Sequence, residues 1–491
     1  MGFLHRDLIC RNIPVSDPLF SRPAAMRPWL PLLLPLLLAG CIRYEAKPLV
    51  PQEAMSRIES RSLADPGLAA FMQGHSTDPV QPWLRQSWDL PALTLAAFYF
   101  HPALDVARAQ WEVAEAGVIS AGARPNPTLG IAPEFSFNPE SGVSPWIAGF
   151  NFDIPIETAG KRGYRVDEAR HLSEAARFNI GSVAWDVFSN LRDNLVAFAT
   201  ASAHMELLQA RAEIQDEIVK LLERRLAAGD IAPHELAGAR IELARTQLQL
   251  QEAQRELIGS RTGITEAIGV PAEGVAGVEF DYDLKQLPPA AVSERDARRE
   301  ALHNRTDVAA ALAEYSASQS ALQLEIAKQY PDIHIGTGYE YDQGQDKWTF
   351  GIAVELPVFN RNQGGIAGAE ARRAESAARF MELQAQIVGE VDNAVAQQRL
   401  ALEQAASAAE LVATLERQFE IIRRRFDVGD IDLLDYLGAR LELAHAGSVR
   451  LDALGRVHET QGELEDAIRR PLNTAAWNDV WQPNSTGRRS E

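Results

Sequence analysis

Cysteine is nearly missing from this chain: 491 residues hold two, Cys10 and Cys41, both near the N-terminus. A disulfide framework is thereby excluded. Ten histidines are scattered with no HxxxH or CxxC pair among them. No metal site of recognisable spacing follows, and no cofactor is expected. Basic residues are the minority, with 48 Lys plus Arg against 67 Asp plus Glu and a formal net charge of −19. That balance argues against a nucleic-acid partner, which would favour a basic face. It suits a surface that attracts cations, or simply a solvated exterior. Catalytic signatures are lacking too: there is no GxSxG, HExxH, Walker or Rossmann motif, so no enzyme is expected.

Long apolar runs are also scarce. From Met26 the chain reads MRPWLPLLLPLLLAGC, a basic residue followed by an apolar stretch from Leu30 to Leu38. That stretch is shorter than the ~20 residues of a membrane-spanning helix, and its layout is that of a secretory signal. Residues 1–25 carry no such signal, so translation is expected to begin at Met26. The segment Leu38-Ala39-Gly40-Cys41 resembles the lipobox of bacterial lipoproteins. The resemblance implies cleavage before Cys41 and acylation, palmitate included, of its sulfur and new amino group. The plain alternative is that Cys41 is one more small residue in an apolar run. Ile42, being no Asp, fits sorting to the outer membrane.

What the chain does have is an internal repeat. Residues 224–244 read RRLAAGDIAPHELAGARIELA and residues 424–444 read RRFDVGDIDLLDYLGARLELA. Gly229 maps to Gly429, Arg240 to Arg440 and Pro271 to Pro471 at one constant offset. Upstream, HPALDV at 101–106 lies over HNRTDV at 303–308. The organisation predicted is a signal region at 1–40, an extended segment at 41–96, repeat one at 97–271, a linker at 272–297, repeat two at 298–471 and a tail at 472–491. A single helix pattern runs from Leu93 to Ala123, and residues 301–328 echo it.

Strict alternation comes next in each repeat. Leu129, Ile131, Pro133, Phe135 and Phe137 share one side of a first strand; Trp146, Ala148, Phe150, Phe152 and Ile154 follow after the turn. Repeat two gives Ile333 to Tyr341, a DQGQD turn, then Trp348, Phe350, Ile352, Val354 and Leu356. Period two over about ten residues, apolar and aromatic on one face and small or polar on the other, is the pattern of a transmembrane β-strand. A soluble hairpin with one solvated face reads the same over a single strand. Four strands cannot close a barrel, and open edges are not tolerated in lipid, so a membrane reading forces several chains to pool their strands.

The period then changes to that of a helix. Lys161 to Ala228 holds no proline, and Leu207, Ile214 and Leu221 stand seven apart. Leu236, Leu243, Leu250, Leu257 and Ile264 do the same after the turn, which signals coiled-coil packing. One continuous helix before the turn would be ~100 Å long. A matching stretch runs from about Gly368 to Val428. Each GDI triplet ends one long helix, glycine supplying the left-handed stop and the acid opening the next helix.

The paired repeats, paired hairpins and GDI tips resemble the TolC-like outer membrane efflux proteins, the outer membrane factors. DIPIETAGKRGYRVDEAR at 153–170 and ELPVFNRNQGGIAGAEA at 355–371 are most similar to the CzcC-like heavy-metal branch. The resemblance implies a mixed, mainly α fold: long antiparallel coiled-coil hairpins forming a periplasmic tunnel, with four transmembrane strands per chain. Three chains would complete a twelve-stranded barrel in the lipids of the outer membrane. The homotrimer would serve as exit duct for an inner-membrane pump of the RND type, reached through a periplasmic adaptor. An organic-compound duct of the same fold, or a structural periplasmic coiled-coil lipoprotein, is the alternative.

Site residues follow the same logic. The tips Gly229, Asp230, Ile231, Gly429, Asp430 and Ile431 are expected to meet the adaptor. In related channels an acid six positions after the tip glycine helps ring the closed aperture; here that is Asp435, with Glu235 as its repeat-one counterpart. Asp430 and Asp432 could join the ring or merely cap their helix. Arg224, Arg225, Arg424, Arg425, Arg240 and Arg440 could pair with these acids or meet the adaptor, or could simply belong to solvated helix faces. Asp153, Glu355, Glu340 and His334 are expected to line the barrel lumen, since a charge facing lipid is costly.

Overall fold

The computed structural model describes residues 44–75, 87–139, 141–287, 293–342 and 344–472. The signal segment, Cys41 and the tail beyond Leu472 lie outside the described residues. Of the described residues, 44–54 and those from Met55 onward fall in two separate units. In the first, residues 44–50 have no regular structure before α1 (Pro51–Glu59) begins and runs on into the second unit. The second unit continues with α2 (Pro66–His75), β1 (Ser87–Trp88), α3 (Leu90–Phe100) and α4 (Pro102–Gly122). Repeat one goes on with β2 (Thr128–Ile131), β3 (Glu134–Phe135), β4 (Trp146–Ile156), α5 (Lys161–Ala228) and α6 (Pro233–Ile268). After β5 (Glu279–Phe280), repeat two supplies α7 (Glu294–Asn304), α8 (Thr306–Ala327), β6 (Ile333–Asp342), β7 (Gln345–Val354), α9 (Gln363–Asp427) and α10 (Leu433–Ile468).

The helix pattern from Leu93 to Ala123 predicts one helix, but the structure breaks it at His101 with a bend of 51°. Pro102 has no N–H to give to the preceding turn and keeps His101 extended, at φ −71 and ψ 120. The freed His101 ring caps α4, accepting from the Ala103 N–H at 3.2 Å. Repeat two also breaks in this region, at Arg305, two residues later in the alignment and without a proline.

β2 and β3 both pair antiparallel with β4 in one register, Thr128 opposite Asp153 and Phe135 opposite Trp146. They are one strand interrupted at Ala132 and Pro133, where alternation predicts an unbroken run. Pro133 lacks the N–H that would continue the ladder. β6 and β7 form a tight hairpin whose Gly344 sits at φ +88. β4 also pairs β6, from Ala148–Tyr341 to Ile156–Ile333, so the order is β2-β4-β6-β7 with β2 and β7 at the edges. β7 stops at Val354, leaving Glu355 and Leu356 beyond the ladder.

α5 is one helix of 68 residues, about 100 Å at 1.5 Å per residue. α9 has 65 residues and starts earlier than the heptad pattern indicates, at Gln363. α6 and α10 run back along α5 and α9; α10 also packs on α5, α8 lies against both α5 and α9, and α4 lies against α5. The heptad residues face inward, with Leu236 and Ile264 buried and Leu243, Leu250 and Leu257 half-buried. Ala394, Ala401, Ala405 and Ala408 line the α9 seam and let the helices approach closely. Each repeat anchors its hairpin in its own core. Leu191, Leu195, Ile264 and Ile268 pack with Leu93 and Trp88 in one. Ile387, Val391, Leu464 and Ile468 pack with Ala297 and Ala301 in the other. Each such Leu or Ile contributes about 1.5–3 kcal/mol by burial. Among the described residues no single helix is long and apolar enough to cross a membrane.

Candidate channel site: two helical tips and a strand face

The two tips reverse the chain identically. Gly229, at φ +84, donates its N–H to Leu226 O at 3.0 Å, and Asp230 donates to Arg225 O at 2.9 Å. Gly429, at φ +77, donates to Phe426 O at 2.9 Å, and Asp430 donates to Arg425 O at 2.9 Å. A residue with a Cβ enters that left-handed position only at a cost, which is why both tips carry glycine. Ile231 and Ile431 beside them are half-buried.

The acids that follow have different partners. At tip one Pro233 opens α6, where its missing N–H is harmless. Glu235 turns back, its Oε1 accepting from the Ala232 N–H at 3.0 Å. At tip two Asp432 caps α10, its Oδ1 accepting from the Asp435 N–H at 2.9 Å. The other oxygen of Asp432 lies 2.7 Å from Nη2 of Arg225, on the first tip. That hydrogen bond, aided by the Asp435 N–H, holds the Asp432 carboxyl below its ordinary value. Asp430 pairs with Arg425 at 2.7 Å. Asp435 is exposed, and its carboxylate makes no ion pair among the described residues. Of the four candidate acids it is the one left unspent. Arg240 pairs with Glu223 at 2.7 Å, and Arg440 approaches Glu217 at 3.9 Å. Leu434 of tip two rests on the Val219, Leu222 and Leu236 cluster of tip one, so the two tips are packed together.

On the sheet, His334 and Asp153 meet, Nδ1 to Oδ2 at 3.0 Å, across the β4–β6 seam. Gly336 stands opposite Asp153 in the ladder. Glu340 stands opposite Lys347. Glu355 lies just past β7 and apart from this pair. Phe150, Phe152, Ile154, Trp348, Phe350 and Ile352 are all exposed, a run of apolar side chains of the kind that marks an interaction or membrane surface. Among the described residues no His, Cys, Asp or Glu group is arranged to hold a metal.

One cluster escapes sequence reasoning. Arg192 of α5 is only 4% exposed, and its Nη2 lies 2.8 Å from Asp466 Oδ2 on α10. Glu465 stands 3.3 Å away and Asp193 2.8 Å away. Trp185 Nε1 and Ser189 Oγ donate to the same Asp466 carboxylate at 2.8 and 2.7 Å. Burial pushes the Glu465 carboxyl up, against the pull of Arg192. A Cβ at Gly462 would lie 2.8 Å from this guanidinium, so a glycine is needed beneath it. The available signal was an arginine spaced between the apolar Val187, Phe188, Leu191, Leu195 and Val196, on the side of the helix that they bury.

A family model described as outer membrane efflux protein matches residues 87–270 and 297–468. The chain is 27% identical over 373 residues to the cobalt-zinc-cadmium resistance protein CzcC of Cupriavidus metallidurans, spanning 75% of this chain and 86% of that one. In fold it is similar to the outer membrane protein VceC of Vibrio cholerae, with a TM-score of 0.62, 21% identity, and coverage of 78% and 96% of the two chains. It is also similar to CusC, with a TM-score of 0.62, 19% identity, and coverage of 77% and 91%. The chain therefore belongs to the outer membrane efflux protein family and is a channel of the outer membrane, not an enzyme.

Proposed function

We propose that three copies of this chain form the exit duct of a tripartite efflux system for heavy-metal cations. The observation that carries this reading is the polarity of the long hairpins. A sheet with an exposed apolar face and two open edges stands at one end. Two packed glycine tips stand at the other, about 100 Å away along α5. Open edges are costly in lipid; three sheets joined edge to edge leave none, and the helices continue the barrel as a tunnel. The six tips then make a rim for a periplasmic adaptor, which leads to an inner-membrane RND-type pump. Asp435, its carboxylate unspent, supplies a threefold ring of negative charge that favours cations. Asp153 and His334 line the bore above it. Cys41 carries the lipid anchor.

Metal as cargo is supported by the similarity to CzcC, whose name states cobalt, zinc and cadmium. A deletion strain challenged with a panel of metals and organic toxins is the test. Loss of metal tolerance is expected. Unchanged metal tolerance with lost tolerance of organic compounds overturns the metal reading.

A further inference from the structure

Both repeats pass from strand to long helix through a left-handed corner, and the two corners align residue for residue. Corner one reads IPIETAGK from Ile154 to Lys161, and corner two reads LPVFNRNQ from Leu356 to Gln363. Gly160, at φ +74, corresponds to Asn362, at φ +61. Each stands immediately before its helix, so Lys161 corresponds to Gln363 and Thr158 to Asn360.

Corner one is filled by repeat two. Asp332, just ahead of β6, accepts from the Thr158 N–H at 2.9 Å and from Lys161 Nζ at 2.8 Å. The Thr158 hydroxyl donates to Pro331 O at 2.6 Å. Lys161 is buried as a result. Among the described residues nothing does this for corner two: Asn362 is tied to Glu325 of its own repeat at 2.6 Å, but Asn360 and Gln363 are exposed and Phe359 is 100% exposed. By sequence, with Gly130 over Gly336 and Glu134 over Glu340, the counterpart of Pro331-Asp332 is Pro125-Asn126, which stands just ahead of β2 and is likewise exposed. These half-sites lie at opposite edges of the sheet.

We propose that corner two of one copy is completed by Pro125 and Asn126 of a second copy of this chain, Asn126 taking the part that Asp332 takes at corner one. The inference rests on the edge-to-edge assembly argued above and assigns its register and its polar clamp. Three observations carry it. The clamp residues change together: the charged pair Lys161–Asp332 corresponds to the neutral pair Gln363–Asn126. A change on one side alone would bury an unpaired charge. Gln363 is already oriented, its Oε1 accepting from the Arg361 N–H at 3.1 Å, which leaves Nε2 to donate to the Asn126 oxygen. Finally, α4 and α8 occupy matching places, yet Val308 on α8 is 6% exposed and Val106 on α4 is 57% exposed. α8 lies between two long helices, and α4 gains the same cover only against α9 of the neighbouring copy. The register is then fixed, with Leu356 facing Leu129 of the next copy as Ile154 faces Ile335.

Cysteine pairs in the full-length chain in cells test the register. Leu129→Cys with Leu356→Cys is expected to give a covalent trimer on mild oxidation, and Leu129→Cys with Val354→Cys is not. For the clamp, Asn126→Asp with Gln363→Lys rebuilds the chemistry of corner one and is expected to keep the detergent-resistant trimer. Asn126→Asp with Gln363→Glu sets like charges together and is expected to lose it. Cross-linking in the shifted pair, or a trimer indifferent to like charges, overturns the proposal. If wild-type protein is trimeric and conducts ions while the first pair stays uncoupled, this inference fails and the duct stands. A monomeric wild type removes both.

Discussion

Tip one and tip two share their backbone and differ in their seams. Val219, Leu226 and Leu236 of the first correspond to Phe419, Phe426 and Tyr436 of the second. The aliphatic trio belongs to one buried cluster. In the aromatic one, Tyr436 stacks on Phe426 at 4.8 Å and leans on Phe419 at 5.6 Å. The polar contacts differ as well. Tip one caps itself through Glu235 and pairs Arg240 with its own Glu223. Tip two leans on tip one through Asp432 and Leu434. The turn geometry dictates one glycine; everything beside it is free to specialise. Tip one is thus the fixed post and tip two the member held against it.

The largest expected effect is on the post. Leu236→Ala should cost about 2–5 kcal/mol locally by opening a cavity in the cluster that supports both tips. Faster hydrogen exchange at both tips checks this, and loosening of tip one alone would break the comparison. Gly229→Ala and Gly429→Ala should each cost about 1–2 kcal/mol from the left-handed backbone. Equal losses in protection confirm that the two turns are the same object. Tyr436→Leu, which gives tip two the chemistry of tip one, should cost about 0.5–1.5 kcal/mol, the increment of an aromatic pair.

The smallest effects on stability should be the clearest in conductance. Arg225→Ala frees tip two, so single-channel conductance in planar bilayers should rise with little change in thermal stability. Acid should do the same. The folded-state carboxyl of Asp432 titrates below its ordinary 3.8, so the tie is complete at neutral pH and is lost only as pH falls beneath that value. A conductance step nearer pH 6 would assign the latch to another group. Asp435→Ala should enlarge conductance and weaken block by divalent cations, and Glu235→Ala should do less, because Glu235 is occupied in its cap. Equal effects from both would erase the distinction between the tips.

Much of this was legible in the sequence, because its strongest signals are periodic. The unbroken run from Lys161 to Ala228 gave α5 to the residue, and glycine before aspartate marked both reversals. Local exceptions inside a periodic pattern were the weak point. Pro133 fits the alternation of side chains and still splits the strand, because pattern records which way a side chain points and not whether the backbone can donate. Pro102 broke a helix for the same reason. Partnerships between distant residues were legible only in outline: an arginine pairing with the tip acids was foreseen, but not which arginine meets which acid. Arg225 and Asp432 are 207 apart, and His334 and Asp153 are 181 apart, so each depends on how the repeats settle together. The cap made by Glu235 was within reach, since an acid three residues after the N-cap is a known signature.

The buried contacts of α5 also set a timetable. Lys161 waits for Asp332, 171 residues later, and Arg192 waits for Glu465, 273 residues later. Until those residues have been made, Lys161 lacks its counter-charge and Arg192 has only its exposed neighbour Asp193. The first half cannot mature ahead of the second half, however complete its own hairpin. A chain cut short before Glu465 lacks the acids on α10 that meet Arg192, and one cut before Asp332 also leaves Lys161 without its partner.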